Sequence, residues 1–216
     1  MIVAILSDVH GNLPALEKFL QSTKQIADAY LCLGDVVNYG PWNDECLELV
    51  HSLPGVVFLE GNHERLFLGT EPIREEIALV QDFYAHSIKY FTRRDLITGL
   101  PTSYELDSYI CTHTIDGRTI YVNTEIEVTN NYLIGHTHQQ YSISRSGKLI
   151  VNPGSVGQNR GSIELLNYAL YDTASGKVTL CEEPSPTDQF IVELVARGYP
   201  ESCVDYYRNK RKGLGG

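Results

Sequence analysis

With 216 residues, 43% of them hydrophobic and 20% charged, the chain has the composition of one folded domain with a sizeable core. Seventeen basic against twenty-seven acidic side chains, a formal charge of −10, argue against general nucleic-acid binding and against an anionic membrane surface, and no stretch approaches the roughly 20 apolar residues of a membrane span. Five scattered cysteines, Cys32, Cys46, Cys111, Cys181 and Cys203, form no Cys-x-x-Cys pair; with no basic leader before the first apolar run, reduced thiols in the cytoplasm are expected.

Residues 2–6 read as a strand buried on both faces that ends abruptly at Ser7-Asp8-Val9-His10. Two residues apart at that edge, Asp8 and His10 can aim a carboxylate oxygen and a ring nitrogen at one point if the backbone turns at Gly11. The pair fits half of a metal shell and equally a hydrogen-bonded turn. Asn12 as N-cap, Pro14 in the first turn, and Leu13, Leu16, Phe19 and Leu20 at helical spacing predict a helix. Residues 29–33 form a second short strand, cut off by Gly34-Asp35. Pro41 and Asp44 then open a helix carrying Cys46, Leu47 and Val50. Strand 56–59 ends in Glu60-Gly61-Asn62-His63-Glu64. Ligand crevices of open α/β sheets lie outside the carboxyl ends of the strands, so these three polar ends are expected to meet.

One long helix is predicted over 73–93, its stripe of Ile73, Ile77, Val80, Tyr84, Ile88 and Phe91 facing the core. Beyond Leu100-Pro101 the chain reads as short strands at 104–106, 109–112, 120–122, 132–135, 141–144 and 149–152. Thr173 to Gly176 reads as a hairpin turn between strands 168–172 and 177–181. Pro184-Ser185-Pro186 marks an exit, residues 188–196 a final helix, and residues 209–216 a solvated tail. His51 and His86 fall in helical stretches away from any strand end and are read as ordinary side chains.

Set in order, the polar strand ends are Asp8-Val9-His10, Gly34-Asp35, Gly61-Asn62-His63-Glu64, Thr112-His113 and Gly135-His136-Thr137-His138. Singly each has a plain structural reading, His113 as a core histidine bonded to a carbonyl and Gly135 to His138 as a polar hairpin. Together they gather more carboxylate, amide and imidazole donors than turns require. The pattern resembles the calcineurin-like metallophosphoesterase superfamily, whose blocks D-x-H, G-D, G-N-H-[DE], an isolated His and G-H-x-H occur here in that order. The resemblance runs from Ile2 to about Gly161 and is nearest to small bacterial phosphodiesterase-type members and their diadenosine-polyphosphatase-like neighbours.

The resemblance implies an α/β fold, a four-layer αββα sandwich of two mixed sheets flanked by helices. It implies two divalent ions, one held by Asp8, His10, Asp35 and His138, the other by Asp35, Asn62, His113 and His136. Asp35 would bridge them, as a carboxylate can for cations roughly 3.5 to 4 Å apart. Mixed imidazole and oxygen donors favour Mn, Fe, Co, Ni or Zn over Mg, and Mn is the ion expected first. His63 is implied as the general acid, protonating the leaving oxygen while a metal-bridging hydroxide attacks phosphorus. The implied reaction is hydrolysis of a phosphodiester or nucleotide phosphoanhydride in a small substrate.

Departures from the pattern bear on that substrate. Serine/threonine protein phosphatases carry G-D-x-x-D-R-G, whereas this chain has Asn38 and Tyr39 at the Asp-Arg positions, which weakens the alternative of a protein phosphatase or phosphomonoesterase. The retromer subunit of the same fold is a scaffold, but its metal blocks are degraded and these are intact. His113-Thr114 replaces the usual His-Gly and narrows the expected pocket mouth. Arg160, Tyr39 and Trp42 are the candidate substrate contacts, against the plain readings of Arg160 as a surface charge and of the two aromatics, the reading favoured for them, as loop packing. Glycines in 152–158 suit a close backbone approach beneath the site.

Overall fold

A computed structural model describes the backbone of residues 1–212 and the side chains through Lys210. The first sheet has the order β10-β9-β1-β2-β3, built from β1 (Ile2–Leu6), β2 (Ala29–Cys32), β3 (Val57–Phe58), β9 (Leu165–Asp172) and β10 (Lys177–Pro184). The second has the order β4-β5-β6-β8-β7, from β4 (Ser103–Leu106), β5 (Tyr109–Thr112), β6 (Asn131–Ile134), β7 (Gln140–Arg145) and β8 (Lys148–Pro153). Both are mixed: β1, β2 and β3 run parallel while β9 and β10 are antiparallel, and β5, β6 and β8 run parallel while β4 and β7 are antiparallel. Helices flank them, giving the expected α/β sandwich.

Alternation along β1 shows how the layers are held. Ala4 and Leu6 face α1 (Leu13–Thr23) and α2 (Asn43–His51), in a core with Leu16, Phe19, Leu47 and Val50. Val3 and Ile5 face the opposite way, into a core between the sheets with Leu106, Cys111, Leu133 and Val151. Burying one such side chain stabilises the fold by about 1.5 to 3 kcal/mol. The Asn12 side chain accepts from the Ala15 N–H (3.2 Å), so the expected N-cap of α1 is present.

Three predicted elements differ. The helix over 73–93 is interrupted: Ile73–Glu75 forms one 3₁₀ turn, Ile77 is extended, and α4 covers only Ala78–Ser87. Ile73 packs against the core, but Arg74, Glu75 and Glu76 follow it with no apolar side chain, and Ile77, expected in the core, is 68% exposed. Residues 120–122 form no strand. Ile120 is buried with Ile115 and Val128 against the outer face of the second sheet, whereas Tyr121 and Val122 are exposed. Finally, α5 (Thr187–Ala196) is followed by α6 (Glu201–Lys212), which covers the first residues of the expected tail; residues 213–216 lie outside the described residues. Four cysteines are buried and Cys181 is half-buried, all as free thiols. No helix among the described residues is long and apolar enough to cross a membrane.

Candidate metal centre

The strand-end motifs meet because backbone pairing continues past the strands. Asp8 N–H donates to Gly34 O (3.0 Å), His10 N–H to Asp35 O (3.1 Å) and Gly11 N–H to Val36 O (2.8 Å), which locks the first two motifs side by side. Gly135 N–H donates to His113 O (3.1 Å), joining the fourth and fifth. Below them, Val156 N–H donates to Ser7 O and Gly157 N–H to Asp8 O (both 3.1 Å), the close approach expected of 152–158. Asp8, His10, Asp35, Asn38, Tyr39, His136 and His138 all have φ between 52° and 72°. Each such residue costs about 1 kcal/mol against ordinary backbone, and their concentration here is the mark of a functional site. Gly34, with φ 105°, lies where a Cβ would meet Gly61 N at 2.7 Å and His113 Nδ1 at 2.9 Å.

Three imidazoles have their tautomer fixed. His10 Nδ1 meets Val37 O (3.0 Å), His113 Nδ1 meets Leu33 O (2.8 Å) and His138 Nδ1 meets Gln158 O (2.9 Å). A carbonyl only accepts, so each Nδ1 carries a proton, and each ring in its neutral form, the form a cation favours, presents a bare Nε2. Those lone pairs face other acceptors. His10 Nε2 and His138 Nε2 are 3.1 Å apart, with Asp8 Oδ1 3.3 Å from His138 Nε2. His113 Nε2 is 3.0 Å from Asn62 Oδ1 and 3.1 Å from Asp35 Oδ2, and His136 Nδ1 is 2.9 Å from Asn62 Oδ1.

The two aspartates repeat one design. His136 N–H fixes Asp8 Oδ2 (3.2 Å) and His63 N–H fixes Asp35 Oδ1 (2.8 Å). The other oxygens, Asp8 Oδ1 and Asp35 Oδ2, are buried without a hydrogen bond. Lone pairs converging at about 3 Å repel one another unless a cation lies among them. Donors about 2.0 to 2.2 Å from one cation do stand about 3 Å or more apart. Two Asp/His clusters therefore could hold metal, Asp8 with His10 and His138, and Asp35 with His113 and His136, while Asp35 also clusters with His10 and His63.

Burial pushes the Asp8 carboxyl up to about 7, with Asp35 adding to the rise. Burial and then His63 push His10 down to about 3, burial and then His113 push His136 down to about 4, and burial and then His10 hold His138 well below its usual range. Burial opposes the charge on Asp35 and His113 as well, but their mutual attraction wins, holding Asp35 low and lifting His113 to about 9. Cations favour the deprotonated form of every one of these groups.

Around this cluster stand residues whose roles the sequence did not disclose. Glu64, fully buried, accepts from the N–H groups of Asp35, Val36 and Gly61 (all 2.8 Å) and Val37 (3.3 Å), bracing the loop that carries Asp35. Asn38 Nδ2 lies 2.9 Å from His63 Nδ1, and Asn43 Oδ1 accepts from Asn38 N–H (2.7 Å). His63 Nε2 is 3.9 Å from Asp35 Oδ2. The Glu in G-N-H-[DE] was a visible signal for Glu64, and Asn38 falls at the aspartate position of G-D-x-x-D-R-G; Asn43 carries no pattern of its own.

The three candidate substrate contacts diverge. Tyr39 is buried, its ring edge-on to His10 (4.7 Å) and His63 (5.3 Å). Trp42 is half-buried beside Phe190 (6.2 Å) with Arg197 over its ring (5.4 Å). Arg160 is exposed, its N–H donating to His138 O (3.3 Å). His51 Nε2 meets Leu96 O (2.7 Å) and His86 stacks on Tyr199 (4.0 Å), both outside the clusters.

A two-sheet sandwich whose strand ends bring together Asp/His clusters is the architecture of the metallo-dependent phosphatases. Residues 1–176 match the calcineurin-like phosphoesterase superfamily domain. The uncharacterised protein MJ0912 of Methanocaldococcus jannaschii is 26% identical, over 93% of this chain and 94% of that protein. Among solved structures, a metallophosphoesterase from Sphaerobacter thermophilus is similar at a TM-score of 0.77 with 24% identity, covering 97% of this chain and 99% of that one. A novel archaeal phosphodiesterase is similar at 0.51 with 17% identity, covering 85% and 100%. At such identities the two structures show a shared fold. The chain belongs to the calcineurin-like phosphoesterase superfamily, a metal-dependent family.

Proposed function

We propose that the chain is a dinuclear metal-dependent phosphoesterase that hydrolyses phosphodiester or nucleotide phosphoanhydride bonds. The observation that carries this reading is the convergence of bare His Nε2 atoms with the two unpartnered aspartate oxygens. Asp8, His10, Asp35 and His138 would hold one ion, and Asp35, Asn62, His113 and His136 the other, with Asp35 common to both sets and Mn the first candidate. Two divalent ions bring +4 against −2 from the aspartates, leaving net positive charge to receive a phosphate in an acidic protein. When bound, such ions supply an activated water as nucleophile and neutralise charge on the phosphoryl oxygens.

The chain's own residues do the rest. Asn38 Nδ2 donates to His63 Nδ1, which leaves the His63 proton on Nε2, the atom that faces the clusters and is placed to serve the leaving oxygen. Asn38 in place of the protein phosphatase aspartate, and Tyr39 in place of its arginine, favour a diester or anhydride over a phosphopeptide. Arg160 stands at the edge of the site as the phosphate contact. The experiment is chelation followed by reconstitution with Mn, Co or Ni, assayed on phosphodiesters, monoesters, nucleotide anhydrides and phosphopeptides. Activity should vanish, return with metal, and be greatest in kcat/KM on diesters or anhydrides. Activity that survives chelation would overturn the metal-dependent reading, and a tenfold preference for phosphopeptides, about 1.4 kcal/mol in the transition state, would overturn the substrate class.

A further inference from the structure

Of the four imidazoles proposed as ligands, His10, His113 and His138 give their Nδ1 to a backbone carbonyl and turn Nε2 to the cluster. His136 is built the other way round. Its Nδ1 lies 2.9 Å from Asn62 Oδ1, the atom that His113 Nε2 also approaches (3.0 Å), and its Nε2 meets a side-chain hydroxyl, Thr119 Oγ1, at 3.0 Å. A carbonyl only accepts and so dictates where the ring proton sits, whereas a hydroxyl can donate or accept. The proton of His136 is therefore free to take Nε2 when Nδ1 serves as a donor atom.

Thr119 lies in the connection between β5 and β6, residues 113–130, and is itself exposed. Its neighbours are nevertheless held on both sides. Asp116 (φ 51°) and Gly117 (φ 70°) make a tight turn, across which Ile115 and Arg118 pair, with Arg118 N–H donating to Ile115 O (2.9 Å). Ile115 and Ile120 are buried with Val128, Tyr141 and Ile150, and Ile120 O accepts from the Tyr141 hydroxyl. Beyond it, Tyr121 N–H donates to Thr124 Oγ1 (2.8 Å). His136 is anchored in turn through its own N–H, which donates to Asp8 Oδ2 (3.2 Å). The hydroxyl thus reaches the ring from a residue set between a closed turn and a buried isoleucine, facing a ring on a fixed backbone.

We propose that Thr119 is a positioning residue for the ion assigned to Asp35, Asn62, His113 and His136. With Nδ1 as the donor atom, the neutral His136 ring carries its proton on Nε2, and Thr119 Oγ1 accepts it, fixing the ring's orientation as carbonyls fix the other three. Outer partners of this kind are worth about 10- to 100-fold in metal affinity. The connection 113–130 then belongs to the metal centre, and of the two ions only this one depends on it. The proposal rests on the dinuclear reading of the Asp/His clusters.

The test titrates Mn into the metal-free full chain by calorimetry, for wild type, Thr119→Val, Thr119→Ser and Thr124→Val. Valine keeps the shape of threonine without the hydroxyl, serine keeps the hydroxyl, and Thr124→Val removes a hydroxyl contact elsewhere in the same loop. Wild type should show two dissociation constants. Thr119→Val should weaken one of them about tenfold or more and leave the other, Thr119→Ser should restore most of the loss, and Thr124→Val should keep both. Two unaltered constants in Thr119→Val, an equal weakening of both, or a loss as large in Thr124→Val would overturn the role of Thr119. Wild-type protein that binds fewer than two ions would instead overturn the dinuclear reading, so the two failures are distinguishable.

Discussion

Asn38 and His63 are 25 positions apart in the chain and 2.9 Å apart in the fold, and their contact decides where the His63 proton sits. His63→Ala should keep metal content and fold while turnover falls on the order of 10² to 10⁴, the contribution of a positioned general acid. The loss should shrink for p-nitrophenolate leaving groups, which depart without a proton; an equal loss for good and poor leaving groups would mean that His63 only binds the phosphoryl group. In the proposed mechanism Asn38 would act through His63, as a positioning residue. Asn38→Asp should let Nδ1 donate to a carboxylate, stabilise the imidazolium and extend the kcat profile to higher pH. A profile unmoved in Asn38→Asp would remove Asn38 from the account. The sequence marked Asn38 only as a departure at the aspartate position of G-D-x-x-D-R-G; that its side chain meets His63 is identified by what it touches in the fold.

At the scale of elements, the strand ends were legible because each apolar run stops at a polar motif, and their order carried the family. The bracing was less so. Glu64, the last residue of the Gly61-Asn62-His63-Glu64 block, ties the start of α3 (Asn62–Leu68) to four N–H groups of two loops. Glu64→Gln replaces one acceptor oxygen with a donor facing N–H groups and should cost about 3 kcal/mol, a Tm loss of about 6 to 12 °C by thermal melt. A loss below about 2 °C would show the loop to be held by other means.

A second element-scale prediction concerns pH. Glu183 of β10 accepts from Ser22 Oγ (2.6 Å) and Tyr168 Oη (2.8 Å) and pairs with Lys18 (3.3 Å) of α1. Burial would raise its carboxyl, but these donors hold it below its ordinary value of 4.5. A carboxyl lowered on folding contributes stability above its unfolded value and loses it as pH falls through the folded one. Wild type should therefore exceed Glu183→Gln in stability at pH 7, by under about 1 kcal/mol because the pair is partly exposed, with the gap closing in acid. Denaturant midpoints at pH 7 and pH 3 check this; a gap that persists in acid would contradict it.

Across the whole molecule, the metal-side half was readable from motifs and the helical periphery was not. The stripe of 73–93 fitted one helix on spacing alone, yet three successive charged residues from Arg74 and an exposed Ile77 break it. Helix α6 was hidden because Cys203, Val204 and Tyr207, which it buries, are outnumbered by polar neighbours, and only the core around Phe83 and Tyr39 shows what they pack against. That core joins the terminal helices to the site, so Phe190→Ala, at a fully buried ring, should destabilise the protein by about 3 to 5 kcal/mol.

The central proposal is that Asp35, whose Oδ1 accepts from His63 N–H and whose Oδ2 is buried without a hydrogen bond, would link two cations at the strand ends. The direct measurement is divalent metal per chain by elemental analysis, for wild type and Asp35→Asn, after saturation with Mn and dialysis, with circular dichroism to confirm folding. Two ions per chain in the wild type and a loss of more than one equivalent in the folded variant are predicted. A folded Asp35→Asn that retains both ions would contradict the account.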